Sequence, residues 1–121
     1  MEETPAPIAN IGPKGRRNRM MLGITLIAIG IGLSIFFVVL QVQPVLRLVT
    51  FVPFWSGFLG VFQSRSQTDV ALASKGQRNM DDGPQDIAID EDKAKLRAQA
   101  LRVYIEAATA GAALTGLVML V

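Results

Sequence analysis

The sequence predicts an all-α membrane protein with three transmembrane helices, and three observations support this fold class. Half of the 121 residues are hydrophobic, and they form long runs, whereas a soluble domain distributes them along amphipathic elements. Met20–Leu40 contains no charged residue, and at about 1.5 Å per residue it matches the roughly 30 Å hydrocarbon core. All Lys and Arg residues except Arg47 lie outside the apolar runs.

The first two predicted parts are a cytoplasmic tail at residues 1–19 and a transmembrane hairpin at 20–63. Three prolines and two glycines argue against regular structure in the tail. The hairpin contains helices at 20–40 and 45–63. Gln41–Pro44 breaks the pattern between them, because proline lacks an amide hydrogen and disfavours helix at the preceding residue.

The other two predicted parts are a polar segment at 64–102 and a C-terminal transmembrane helix at 103–121. The polar segment carries seven basic and seven acidic residues, so its net charge is zero. We expect a short helix within 68–75 and a loop at 79–85, where Asp-Asp-Gly-Pro favours a turn. A helix capped by Asp90 should then continue without interruption into the last span.

The distribution of basic residues predicts the topology. With three spans, the tail and the polar segment share one side, which the positive-inside rule makes cytoplasmic. The expected location is a bacterial inner membrane, cytoplasmic or intracytoplasmic. The alternative is two spans with an interfacial segment at 44–63, because Pro53 and Trp55 lie in its middle and Trp favours the interface.

Small residues recur four apart in each apolar run, and such rows allow close helix contact in lipid. They serve either packing within this chain or docking onto another subunit. The predicted helix-packing residues are Ala28, Gly30, Gly32, Ser34, Ser56, Gly60, Ala108, Ala112 and Gly116.

A second candidate surface is a lipid-facing basic cluster beside the first span. It consists of Lys14, Arg16, Arg17 and Arg19. Next to a span, such a cluster sets orientation and contacts anionic lipid, and we expect no nucleic-acid partner. Inside the runs, Glu106 is either a proton or cation group or a shallow, solvated residue paired with Arg102. The second reading is preferred, and Arg47 is expected to reach the headgroups.

The composition excludes several kinds of catalytic and metal site. The chain has no His and no Cys, so the commonest transition-metal ligand, the easiest general base and thiolate chemistry are missing. The acidic residues between 81 and 92 do not follow EF-hand spacing, and no Walker A, GxSxG or HExxH motif is present. We expect no catalytic residues, no metal site and no enzyme activity. The cofactors are unknown: lipid or pigment contacts are open, but a pigment magnesium would need a carbonyl, amide or water ligand.

The stretch PFWSGFLGVFQ, followed by TDVALASKGQRNMDDG, resembles a pattern in small uncharacterised bacterial multi-span membrane proteins. There, a span ends in a glutamine-containing turn and a T-C-V-A-L-A-x-x-G-like motif follows. This chain has Asp69 in place of the cysteine. The resemblance covers about a third of the chain and implies a bacterial membrane protein without assigning an activity.

These features predict a non-catalytic accessory subunit of a larger bacterial membrane complex. A bioenergetic host, photosynthetic or respiratory, is expected, with other transmembrane subunits and lipids as partners. The alternative is a free-standing small membrane protein that forms homo-oligomers with a transport- or stress-related role.

Overall fold

The computed structural model describes residues 8–121, which are mostly helical. Three helical stretches are long and apolar enough to cross a membrane, which confirms that part of the predicted fold class. The helices are α1 (Pro13–Val39), a 3-10 helix (Pro44–Thr50), α2 (Phe51–Arg65), α3 (Val70–Ser74) and α4 (Asp90–Leu120). Two short strands, β1 (Gln77–Arg78) and β2 (Gln85–Asp86), lie between α3 and α4.

Helix α1 begins at Pro13, so the predicted irregular tail is wrong for residues 13–19. A proline at the first helical position costs nothing, because its missing N–H would have no intrahelical partner there. The Asp81 carboxylate also accepts hydrogen bonds from the first-turn amides of Lys14 and Gly15, at 3.2 and 3.4 Å. The rest of the predicted tail includes residues 1–7, which lie outside the described residues.

Helix α2 runs antiparallel to α1 and packs between α1 and α4, which make little direct contact with each other. Glycines permit this approach. A Cβ on Gly23 would lie 2.6 Å from the Gly57 carbonyl oxygen, and one on Gly60 would lie 2.7 Å from the Arg19 carbonyl oxygen. On the other flank, a Cβ on Gly111 would lie 3.0 Å from the Trp55 backbone.

A small polar unit, which we call the headpiece, covers one end of the three helices. It comprises residues 8–12, residues 66–89 and the first three turns of α4. Strands β1 and β2 pair antiparallel. Residues 10–12 lie next to the residue that follows β1, through a parallel bridge between Ile11 and Asn79. Its apolar core contains Ile8, Val70, Ala73, Ile87, Leu96 and Ala100.

Arg47 organises the opposite end of the molecule, where α1 ends, the 3-10 helix begins and α4 ends. Its guanidinium donates to the carbonyl oxygens of Val42, Val118 and Val121 at 2.8 to 3.0 Å, and the residue is 6% exposed. The expected snorkelling towards headgroups is therefore wrong. The last carbonyls of α4 have no partner within their own helix, and a cation at that end also favours the helix dipole.

Candidate functional site: a polar junction below the helices

The headpiece meets the ends of α1 and α2 through a group of polar side chains that we call the polar junction. Its members are Asn10, Arg19, Gln63, Thr68, Asp69 and Gln99. A buried polar group that lacks a hydrogen bond costs about 1–3 kcal/mol. The partners of these side chains therefore decide whether the junction is structural or reactive.

Asp69 connects α3 to α1. One carboxylate oxygen accepts the Leu72 amide at 3.1 Å, which makes Asp69 the N-cap of α3. The other oxygen accepts Arg19 Nη2 at 2.5 Å. Asp69 is 6% exposed, whereas the Arg19 side chain is 37% exposed. The ion pair thus holds a buried carboxylate with a cation that still reaches the surface.

Asn10 has no exposed surface, and its side-chain amide forms hydrogen bonds with backbone groups of other segments. Its Oδ1 accepts the Asp69 amide at 2.6 Å, while its Nδ2 donates to the Asp69 and Gln77 carbonyl oxygens at 3.1 and 3.3 Å. Its own backbone bonds Gln67 and Asn79. Every hydrogen-bonding group of Asn10 is engaged, so its role is to fasten the N-terminal segment.

Two glutamines complete the attachment. Gln99 on α4 accepts the Ile8 amide at 2.9 Å and donates to the Ile8 carbonyl and the Thr68 hydroxyl, both at 3.0 Å. Gln63 at the end of α2 accepts the Val70 amide at 3.0 Å. Segments up to 91 residues apart in the chain therefore converge on the junction.

The predicted basic cluster divides into two pairs. Arg19 binds Asp69, and Arg16 Nε donates to the Ser64 carbonyl oxygen at 3.1 Å. The side chains of Lys14 and Arg17 are exposed. Half of the cluster thus fastens α1 to its neighbours, and the other half is available at the surface.

The acidic residues act mainly at helix starts. Asp81 caps α1 from a distance, and Asp90 lies in the first turn of α4, although the N-cap residue is Ile89 and not Asp90. Asp90 also pairs with Lys93 at 3.6 Å. Within residues 8–121, no group of three or more His, Cys, Asp or Glu residues could hold a metal ion.

The predicted small-residue rows lie on two kinds of surface. Gly30, Ser34 and Gly60 are buried, and a Cβ on Gly30 would lie 2.8 Å from the Phe54 ring. In α1, Ala28 and Gly32 are exposed, as is Ala112 in α4; Ser56, Ala108 and Gly116 are half-buried. A Cβ on Gly32 or Gly116 would meet nothing within 4 Å.

The row on α4 that faces inwards is one residue away from the predicted one. Its members Ala107, Gly111 and Thr115 are buried. The predicted row through Ala112 therefore lies beside the packed face of α4, with Ala112 exposed and Ala108 and Gly116 half-buried. Glu106 is exposed, and no ion pair joins it to Arg102.

The hydrogen bonds of the junction are structural, because they join separate segments of the chain. Its side chains bind mostly backbone groups, and Arg19 Nη2 binds the Asp69 carboxylate, while the buried Arg19 Nε has no partner among the described residues. A polar cavity of about 300 Å³ adjoins it, lined by both cations and carboxylates: Lys14, Arg19, Asp69 and Asp81 among others. Such mixed charge offers no clear preference for an anion or a cation.

No family model, curated protein or solved structure matches this chain.

Sequence reasoning missed the roles of Asn10, Gln63 and Gln99. Nothing in their local sequence distinguishes them from solvated polar residues, because their partners are distant in the chain. Thr68-Asp69 did carry a usable signal: Asp ahead of a short apolar stretch is a typical N-cap.

Proposed function

We propose that this chain is a non-catalytic accessory subunit of a larger membrane complex, crossing the membrane three times with the headpiece in the cytoplasm. The arrangement of charge supports this topology. The headpiece end holds every Lys and Arg from residue 14 to residue 102 except Arg47, and basic residues favour the cytoplasmic side. Helix α2 supports a full crossing, since it runs antiparallel between α1 and α4 and does not lie flat beneath them.

The observation that carries the subunit proposal is the uncovered apolar surface of the outer helices. Large side chains on the parts of α1 and α4 that do not contact α2 are exposed, and Gly32 and Gly116 have open space where a side chain would stand. Large residues suffice to face lipid, whereas small ones permit close approach of another backbone. The exposed small positions are therefore the expected contacts with a partner helix.

The apolar surface also contains an open groove of about 410 Å³ between the far halves of α1 and α4. Phe54 of α2 forms part of the groove. The only polar side chain that lines the groove is Ser34, which donates to the Gly30 carbonyl oxygen within α1 at 2.6 Å. The groove therefore offers hydrocarbon contact. This suits a subunit that fills space beside other helices, lipid or pigment.

The internal use of polar residues supports a non-catalytic role. The carboxylate and amide side chains of the junction form structural hydrogen bonds. Glu106, the acidic residue of the apolar half of α4, is exposed near the start of that half. Glu106→Gln should therefore leave the host's activity and assembly unchanged. A large loss of proton- or electron-linked activity in that variant would contradict the non-catalytic part of the proposal.

The experiment that tests the subunit proposal is native electrophoresis of the tagged chain, extracted from its own membrane in a mild detergent. We expect migration with a large complex, whose purification then decides whether the host is bioenergetic. Ala112→Leu adds volume at an exposed small position and should lower the co-purified fraction several-fold, because tight packing cannot absorb it. Leu114→Ile preserves volume in the groove and is the matched control.

A homo-oligomer is the second candidate, because the same uncovered small residues would serve contact between copies. Migration as a small assembly of this chain alone would support it and contradict the accessory-subunit proposal. Equal retention of Ala112→Leu and Leu114→Ile in the large complex would show that the row on α4 faces lipid.

A further inference from the structure

A cavity between α3 and α4 has the composition of a lipid headgroup site. It measures about 310 Å³ and is lined by Val70, Ser74, Arg97, Ala100, Leu101 and Tyr104. Its α4 side carries a guanidinium and a phenol beside Ala100 and Leu101, and its α3 side carries Val70 and Ser74. It lies where α4 changes from the charged sequence that ends at Arg102 to the apolar run that begins at Val103.

Both strong donors of the cavity are uncommitted. Arg97 is exposed and forms no ion pair within residues 8–121. Tyr104 is 45% exposed, and its hydroxyl donates to no residue in the described part of the chain. In contrast, the Ser74 hydroxyl donates to the Ala71 carbonyl oxygen at 2.7 Å, so it adds no donor.

The position of the cavity indicates the class of ligand. Tyrosines prefer the boundary between hydrocarbon and headgroups, where the ring is in an apolar layer and the hydroxyl is hydrated. Arg97 and Tyr104 are seven residues, or about two turns, apart on one face of α4, and both line the cavity. A guanidinium matches two phosphate oxygens, and the apolar wall suits the first methylenes of an acyl chain.

We propose that this cavity binds the phosphate of an anionic glycerophospholipid, with Arg97 and Tyr104 as donors and Leu101 against the acyl chain. The site rests on the membrane insertion proposed above, but not on the identity of a host. It differs from the basic cluster in the first turns of α1, where Arg16 and Arg19 are engaged by protein groups.

The chain contains its own reporter for this site. Trp55 is its single tryptophan and Tyr104 its single tyrosine, and their rings meet edge to face with centroids 5.8 Å apart. A ligand that contacts Tyr104 should therefore change the emission of Trp55. The purified full chain in a neutral detergent is titrated with phosphatidylglycerol, and with diacylglycerol of the same acyl chains.

We expect a saturable change with phosphatidylglycerol and at least tenfold weaker binding of diacylglycerol. Arg97→Gln should weaken phosphatidylglycerol binding about tenfold, as expected for one charge-assisted contact. Tyr104→Phe, which retains the ring, should cause a smaller loss. Arg102→Gln removes the same charge outside the cavity lining and should change binding less than twofold.

Three results would overturn the proposal. Equal losses in Arg97→Gln and Arg102→Gln would indicate diffuse attraction rather than a site. Equal binding of diacylglycerol would exclude phosphate recognition. Competition by soluble glycerol phosphate at the same concentrations would assign the cavity to a free phosphate compound instead of a lipid. None of these outcomes depends on whether the chain migrates with a host complex.

Discussion

Gly23→Ala tests the contact on which the helix arrangement depends. The added Cβ would lie 2.6 Å from the Gly57 carbonyl oxygen and 2.8 Å from the Val61 amide nitrogen, and ordinary contact begins at 3.4 Å. Both of these neighbours are backbone atoms, which cannot rotate out of the way. Helix α1 must therefore move from α2 by about 0.8 Å, the difference between 3.4 and 2.6 Å, and loses contacts along the interface.

The expected cost follows from two opposing effects. Overpacking of a tight interface costs typically 1–3 kcal/mol, and a backbone clash belongs at the upper end of that range. Replacing glycine by alanine within a helix returns about 1 kcal/mol. The free energy of unfolding of Gly23→Ala should therefore fall by about 2 kcal/mol.

Gly32→Ala is the matched control, since it makes the same change in the same helix. A Cβ there meets nothing within 4 Å, so its free energy of unfolding should stay equal or rise by up to about 1 kcal/mol. The assay is unfolding of both purified variants in mixed micelles, followed by circular dichroism and Trp55 emission. If Gly23→Ala is as stable as Gly32→Ala, then α1 and α2 do not meet at this position.

Three further predictions concern topology and the two ends of the molecule. Cysteines at Ser74 and Val121, in this chain without cysteine, should react with an impermeant thiol reagent from opposite sides of the membrane; reaction from one side means an even number of crossings. Asn10→Ala strands buried backbone groups and should lower the free energy of headpiece opening, measured by hydrogen exchange, by about 2–4 kcal/mol. The exposed Asn18→Ala should leave it unchanged, and a similar loss in both would contradict the role of Asn10. Arg47→Met should increase hydrogen exchange in the last turn of α4 at least tenfold, because the carbonyls there lose their donor; unchanged protection would show that the turn holds without it.

The apolar runs were sufficient to predict the long helices, because hydrophobic length is a local property. The break before Pro44 and the uninterrupted helix from Asp90 were likewise readable from proline and from helix-forming residues. The start of α1 was missed although Pro13 suits a first helical position, and its cap, Asp81, is 67 residues away from Lys14.

The polar junction illustrates the same limit more strongly. The burial of Asn10 depends on Asp69 and Gln77, which no local pattern connects to it. The small-residue row of α4 that packs against α2 is one residue away from the predicted row, for a related reason. Its small residues occupy adjacent rows, and only the position of Trp55 on α2 selects Gly111 for the inner one.

The attachment of Ile8 to Gln99 has a consequence for how the molecule is made. A chain emerges from the ribosome N-terminus first, so Ile8 waits for 91 further residues before its partner exists. Until the residues after α2 are made, α1 and α2 have only each other, and their glycine contact is the first tertiary structure that they can form. The contacts of Ile8 with Gln99 therefore form after those of Asn10 and Arg19 with Asp69, and they need only the charged first turns of α4 and not its apolar half.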